Sequence, residues 1–336
     1  MQGYKGADVS SSCSSIAADF AAFRSACPLK RFAQPHSRLE WSYYQAGPLT
    51  DANPILFLHG TSSTAAAFFY QVRTLGDKGY CVISAQYPAY NTPDDWSKGF
   101  DLFLDSMRFR GVHVVGAGLG GFLAQHYACK YPNRVRSLVL CNSFASTHAF
   151  AARAGTWGSL IAFMPTAFLR QAMQDTLPQV GYMELSAKQA VDWVGLQMND
   201  LSGEDLGSRL SLNVSSSQVG PLQLESDQIT ILESSAETMV PAELRRQLKM
   251  TYKGARFAEL KSKDDFPYLS RPDEVTLFVE VHMRRLGAFA QGGQPTPSQL
   301  DVAETYDAWP AGTWAEPEAK PHREEWRNPF EDDDLL

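Results

Sequence analysis

Residues 111–118 (GVHVVGAG) form an apolar run without alternation, which passes through closely spaced glycines into the helical pattern LGGFLAQHYACKY. An apolar run of that length, unbroken by charge, reads as a strand covered on both faces. Residues 53–60 (NPILFLHG) and 80–88 (YCVISAQYP) have the same form, and 135–144 (VRSLVLCNSF), interrupted only by Arg136 near its start, reads as a fourth strand. Helical patterns separate them at 64–79 and at 92–109, the second carrying Trp96, Phe100, Phe103, Leu104 and Met107 on one stripe. Strands and helices alternating at this spacing call for a parallel sheet with helices on both faces.

The rhythm stops after Ser146. Residues 147–222 read as mostly helical, with Gly and Pro breaks and no buried strand. The alternation resumes with a strand at 228–235, a helix at 241–252, a strand at 255–261 and a final helix at 272–286. With two less distinct strands before Asn53, the expectation is an α/β fold. Its sheet is mainly parallel and eight-stranded, with a helical cap inserted between the sixth and seventh strands.

The ends differ from the middle. Residues 1–18 are rich in serine (Ser10, Ser11, Ser12, Ser14, Ser15) and are expected to be a flexible extension of a folded domain spanning 19–287. Residues 288–336 hold 11 acidic and 3 basic side chains and six prolines. Such a stretch buries too little apolar surface to offset its ordering entropy, so a disordered acidic tail is expected. The formal net charge is −7, so the tail accounts for it and the body is near neutral. A neutral body offers no basic field for nucleic acid.

The five cysteines lack CxxC or Cys/His spacing, which argues against a disulfide framework, a metal site or a metal cofactor. No apolar run approaches the roughly 18–20 residues that cross a bilayer. No secretory signal or myristoylation pattern is evident. A soluble protein of the cytoplasm (cytosol), without direct membrane insertion, is expected.

The segment Gly116-Ala117-Gly118-Leu119-Gly120 lies where a buried strand turns into a helix. That is the place of the nucleophile elbow G-x-S-x-G in α/β-hydrolases, whose central serine presents its hydroxyl above the sheet. Here the centre is Gly118. Glycine tolerates the strained turn but supplies no nucleophile. Gly116, Gly118 and Gly121 also fit a dinucleotide-binding G-x-G-x-x-G, but this strand is not the first and no acid ends the next one. No cofactor is expected.

The other triad positions follow by analogy of place. Glu237-Thr238-Met239-Val240-Pro241 resembles the segment D-x-x-V-P after the seventh strand. Asp264-Asp265-Phe266-Pro267 resembles G-H-F-P after the eighth, with Asp265 at the histidine position. A carboxylate of ordinary low pKa cannot relay a proton near neutral pH, so the base is expected to be lost as well. Gly118, Glu237 and Asp265 are therefore expected to be a vestigial triad without catalytic residues. His59, Gly60 and Leu119 form the matching vestigial oxyanion loop, with His59 a turn residue bonded to backbone. Cys141, Ser62 and Ser143 are conceivable substitute nucleophiles without an evident base.

Several segments resemble the maspardin family of α/β-hydrolase-fold proteins: Gly116 to Gln125, Leu138–Phe144 (LVLCNSF), Arg209–Asn213 (RLSLN), Ala85–Tyr90 (AQYPAY) and Phe266–Leu269 (FPYL). The resemblance runs from about Asp19 to Leu286. Members carry serine where Gly118 stands, so this chain departs there. The resemblance implies a pseudoenzyme that acts as an adaptor through protein binding, in the cytosol and at endosomal and trans-Golgi membranes. It also implies a membrane-receptor cytoplasmic tail as partner. The alternatives are an esterase-like enzyme using Cys141 or a carboxylate-activated water, and a small-ligand receptor using the vestigial pocket.

The chain ends in Asn328-Pro329-Phe330 followed by Glu331, Asp332, Asp333, Asp334, Leu335 and Leu336. Asn-Pro-Phe is a compact turn offering one phenylalanine, and it resembles the ligand of EH domains, found in endocytic proteins. The acid-Leu-Leu end also resembles a dileucine sorting signal. Asn328, Pro329 and Phe330 are the expected docking motif.

Overall fold

The computed structural model describes residues 16–49, 54–178, 183–235 and 238–289. Its strands are β1 (Lys30–Ala33), β2 (Glu40–Ala46), β3 (Ile55–Leu58), β4 (Val82–Gln86), β5 (Val112–Ala117), β6 (Val135–Cys141), β7 (Ile229–Ser234) and β8 (Arg256–Leu260). They form one eight-stranded sheet in the order β1-β2-β4-β3-β5-β6-β7-β8. The β2 strand pairs antiparallel with β1 and β4, and the pairs from β4 through β3, β5, β6 and β7 to β8 are parallel.

Every residue of β3, β5 and β7 is buried, as the unalternated runs required. The helices responsible are α1 (Ile16–Ala26), α2 (Phe69–Asp77) and α11 (Pro272–Arg285) on one face. On the other are α3 (Pro93–Ser106), α4 (Leu119–Lys130) and, near the far edge, α9 (Ala242–Thr251). Phe57, Phe68, Val115, Val139 and Val279 belong to the first core; Leu56, Trp96, Phe100, Phe122 and Leu140 belong to the second. The alternation of core membership along β3 and β6 is the period-2 geometry of a strand with both faces buried.

Local signals set the helix ends. Thr92 caps α3 by accepting from the Asp95 N–H, Pro93 opens it, and Asp94 and Asp95 lie in its first turn. One boundary moves. Helix α1 begins at Ile16, inside the stretch expected to be loose, because Ile16, Phe20 and Phe23 share one buried face at helical spacing.

The cap comprises α5 (His148–Ala154), a 3₁₀ segment (Gly155–Phe163), α6 (Thr166–Asp175), α7 (Leu185–Met198) and α8 (Gly203–Val214). It has its own small core of Ile161, Leu169, Met173, Met198, Leu201 and Leu206. Its two ends meet: Ser146 bridges Gln218, and Thr147 N–H donates to Ser217 O at 2.9 Å. Helix α8 starts with a reciprocal cap between Ser202 and Asp205. It docks on the body through Ser208, whose hydroxyl donates to Tyr90 O (2.7 Å) and accepts from Tyr90 N–H (2.9 Å). Helix α10 (Pro267–Ser270) is one turn formed by the FPYL segment.

Candidate functional site

The turn between β5 and α4 has Gly118 at its apex with φ 49° and ψ −119°. Two flanking glycines are dictated by contact. A Cβ on Gly116 would lie 2.4 Å from Gly121 Cα, and one on Gly120 would lie 2.4 Å from Leu58 O. Gly118 is different: its nearest neighbours to an added Cβ are Gly60 Cα at 3.8 Å and Asn142 O at 3.9 Å. The elbow therefore has space for a side chain at its apex and lacks one.

The loop after β3 lies against this turn, since a Cβ on Gly60 would meet Ala117 O at 3.4 Å. Gly60, next to His59, thus lies beside Gly118, which is followed by Leu119. His59 is fully buried, and its Nδ1 donates to Gly60 O at 2.8 Å. Burial, reinforced by the nearby Arg209 guanidinium, holds its pKa well below the ordinary value. The ring is neutral, with the Nε2 lone pair facing inward.

From Gly118 a chain of polar contacts runs to the loop after β8. Asn142 follows β6 with φ 41°, donates from Nδ2 to Ser234 Oγ (2.9 Å) and accepts from Ser234 N–H (2.9 Å). Ser234 Oγ donates to Asp264 O at 2.6 Å. Asp264 is saturated: it accepts from Ser262 Oγ, Ser270 Oγ and the Phe266 N–H at 2.6–2.7 Å. Asp264 holds the loop.

Asp265 requires a correction. It is 7% exposed, and its one hydrogen bond among the described residues is Oδ1 accepting from the Met239 N–H at 2.6 Å. Burial, aided by the like charge of Asp264, raises its pKa to about 7. The sequence reading gives this position an ordinary low carboxylate pKa; burial raises it instead, against the lowering effect of the Met239 N–H and Arg245. Glu237 lies outside the described residues, as do Asn328, Pro329 and Phe330.

The substitute nucleophiles fare worse. Burial pushes the Cys141 thiol up, so no thiolate forms near neutrality. Ser143 Oγ donates to Gly118 O at 2.9 Å and serves the elbow itself. Among the described residues, no group of three or more His, Cys, Asp or Glu is placed to hold a metal ion.

Three residues near the elbow were not singled out from the sequence. Tyr268 places its hydroxyl 3.3 Å from Ser63 Oγ. Arg209 reaches from α8 into the body, 1% exposed, and donates from Nη1 to Ser63 O (2.6 Å) and Thr61 O (3.2 Å). Tyr87, just beyond β4, stacks on His59 with ring centroids 4.4 Å apart. Each sits in a segment that carried the family resemblance (FPYL, RLSLN, AQYPAY), and that convergence was the available signal.

The matches with known proteins agree with this geometry. Residues 55–276 match the model of the alpha/beta hydrolase family. Maspardin of Danio rerio is 37% identical over 275 residues, covering 80% of this chain and 87% of its own length. Maspardin of Homo sapiens is 35% identical over 273 residues with the same coverage. Among solved structures, a hydrolase from Pseudomonas aeruginosa PA01 superposes with a TM-score of 0.64 at 15% identity, covering 76% of this chain and 98% of that one. A thermophilic esterase from Thermogutta terrifontis gives 0.61 at 15% identity, covering 76% and 98%; at that identity both speak for the fold alone. The eight-stranded order, the elbow and the extent of identity place the chain in the maspardin family, within the α/β-hydrolase fold.

Proposed function

We propose that this chain is a non-catalytic member of its fold and works as an adaptor by binding other proteins. The observation that carries the reading is Gly118: the apex of a preserved elbow, with space for a side chain and none present. Acyl transfer by this fold needs a hydroxyl there. The test is a panel of ester substrates and a serine-directed fluorophosphonate probe on the full chain. No turnover and no labelling are expected; turnover abolished by Asp265→Asn would overturn the reading.

That outcome belongs to a second reading, favoured by one observation. Burial raises the pKa of Asp265 to about 7, the range in which a carboxylate can act as a general base toward water. Without a covalent intermediate, such an enzyme would escape the fluorophosphonate probe yet hydrolyse activated esters, with a rate rising through pH 7.

The adaptor reading extends to partners and place. Among the described residues no helix is long and apolar enough to cross a membrane. Recruitment to endosomal or trans-Golgi membranes from the cytosol would then run through protein contacts: a receptor's cytoplasmic tail on the folded body, and EH domains on Asn328-Pro329-Phe330. Burying one phenylalanine contributes about 1.5–3 kcal/mol, and the turn backbone and acidic flank must supply the rest of the roughly 4–8 kcal/mol that a submillimolar to micromolar affinity requires. Phe330→Ala in the full chain should abolish EH-domain binding. Unchanged binding would remove the motif from the account.

A further inference from the structure

Arg209, Tyr87 and His59 form a contiguous buried group between the cap and the elbow. The Arg209 guanidinium carbon lies 5.7 Å from the Tyr87 ring centroid, and the Tyr87 ring stacks on His59 with an interplanar angle of 11°. Each carries a buried polar atom without a hydrogen-bond partner among the described residues: Arg209 Nη2, the Tyr87 hydroxyl and His59 Nε2. Native interiors seldom leave one such atom unpaired, and three on touching side chains call for an occupant.

Charge makes the demand sharper. Among the described residues no carboxylate forms an ion pair with Arg209. The carboxylate whose field it feels, Asp205, is engaged in the α8 cap with Ser202. A buried guanidinium whose near partners are carbonyl oxygens is left with an uncompensated positive charge.

The hydrogen-bond roles define the complement. Arg209 Nη2 can only donate, and the Tyr87 hydroxyl, its pKa raised to about 12 by burial, keeps its proton and can donate. His59 Nδ1 faces a carbonyl, so it holds the ring hydrogen and Nε2 can only accept. The fitting ligand is negative, accepts at two points and donates at one. We infer that Arg209, Tyr87 and His59 form a binding site for a small monovalent oxyanion that carries a hydroxyl, of the type of hydrogencarbonate.

In this arrangement the anionic oxygens face Arg209 Nη2 and the Tyr87 hydroxyl, and the ligand's own hydroxyl donates to His59 Nε2. The inference is independent of the adaptor reading.

The experiment is a thermal-denaturation titration of the full chain with sodium hydrogencarbonate at pH 8 and constant ionic strength. Sodium nitrate is the planar monovalent control that lacks a hydrogen to donate. Tyr87→Phe is the decisive variant: it keeps the ring that stacks on His59 and removes a hydroxyl that bonds to no group among the described residues, so folding is expected to be retained. Hydrogencarbonate is expected to raise the Tm of the wild-type chain saturably. Nitrate, and hydrogencarbonate with Tyr87→Phe, are each expected to bind at least tenfold more weakly. A shift that does not saturate, or that is equal in wild type and Tyr87→Phe, would overturn the site and leave water on the three atoms. Nitrate binding as tightly as hydrogencarbonate would overturn the assigned role of His59 and the ligand class with it.

Discussion

Nη1 of Arg209 donates to the carbonyl oxygen of Ser63 at 2.6 Å, joining the last cap helix to the loop that packs on the elbow. The same nitrogen reaches Thr61 O at 3.2 Å, so one side chain fixes the course of that loop. Arg209→Met keeps the stem and removes both bonds. Hydrogen bonds to charged groups contribute about 1.5–3 kcal/mol each, offset in part by relief of a buried charge. A loss of about 2–4 kcal/mol in urea denaturation is expected, with faster amide exchange in residues 60–64. Exchange unchanged there would mean the loop holds itself.

The elbow glycines separate into two kinds. Gly116→Ala and Gly120→Ala drive a methyl to within 2.4 Å of backbone, which neither the strand nor the helix can yield. Both variants should lose more than about 4 kcal/mol or fail to fold. The Cβ that Gly118→Ala or Gly118→Ser adds lies 3.8 Å from its nearest non-neighbouring atom, so the cost expected is that of the positive φ. About 1–2 kcal/mol is expected for that strain. Comparable losses at all three positions, read by thermal denaturation, would contradict the geometry.

Asp265 sets a pH dependence of unusual sign for a carboxylate. Its pKa is raised in the folded state to about 7, against an unfolded value near 3.9. The folded chain therefore holds an extra proton between those values, and stability present below pH 4 is lost as pH rises through 7. Asp265→Asn is permanently neutral and still accepts from Met239. It should exceed the wild type by about 2–4 kcal/mol at pH 8, with the gap closing by pH 4.5.

On the side away from the elbow, a buried chain crosses three strands to α11. His113 Nδ1 lies 2.7 Å from Ser137 Oγ, Ser137 Oγ lies 2.8 Å from His282 Nε2, and His282 Nδ1 lies 2.8 Å from Thr230 Oγ1. Donation from His113 through Ser137 and His282 to Thr230 leaves only a lone pair, His113 Nε2, unpaired. Burial lowers the pKa of His113 to about 4 and of His282 to about 3. Both folded values lie below the unfolded one, so their stability is full above pH 6.5 and is lost as pH falls toward 4 and 3. Each neutral histidine adds about 1.4 kcal/mol per pH unit to the slope between pH 6 and 4.5. Urea midpoints should show His282→Gln with a slope shallower by one proton, while Asp265→Asn steepens it.

Much of this was legible in the sequence for a definite physical reason. Strands buried on both faces, such as 112–117, are apolar apart from a single histidine and run into glycines, so they stand out. Lys30–Ala33 and Glu40–Ala46 are half-exposed at the sheet edge and blend with loop composition. Gly118 was readable because the elbow is local, a turn contained in five residues. Arg209 and Ser63 are separated by 146 positions, and no local pattern announces their contact. The raised pKa of Asp265 depends on burial beside Met239 of the loop after β7, which no residue type encodes by itself.

The cap leaves and rejoins the body at adjacent points, stitched by Ser146 with Gln218 and by Thr147 with Ser217. Val219 N–H donates to Ala145 O at 2.9 Å, one step closer to the sheet. The excursion between these stitches therefore imposes no span on β6 and β7, whose spacing is already set by their own pairing. A module attached through such a narrow neck is exchangeable: a helical insert of different length or sequence could be grafted between Thr147 and Ser217 without altering strand register. Novelty in this architecture can thus accumulate in one replaceable cassette while the sheet that positions the elbow stays as it is.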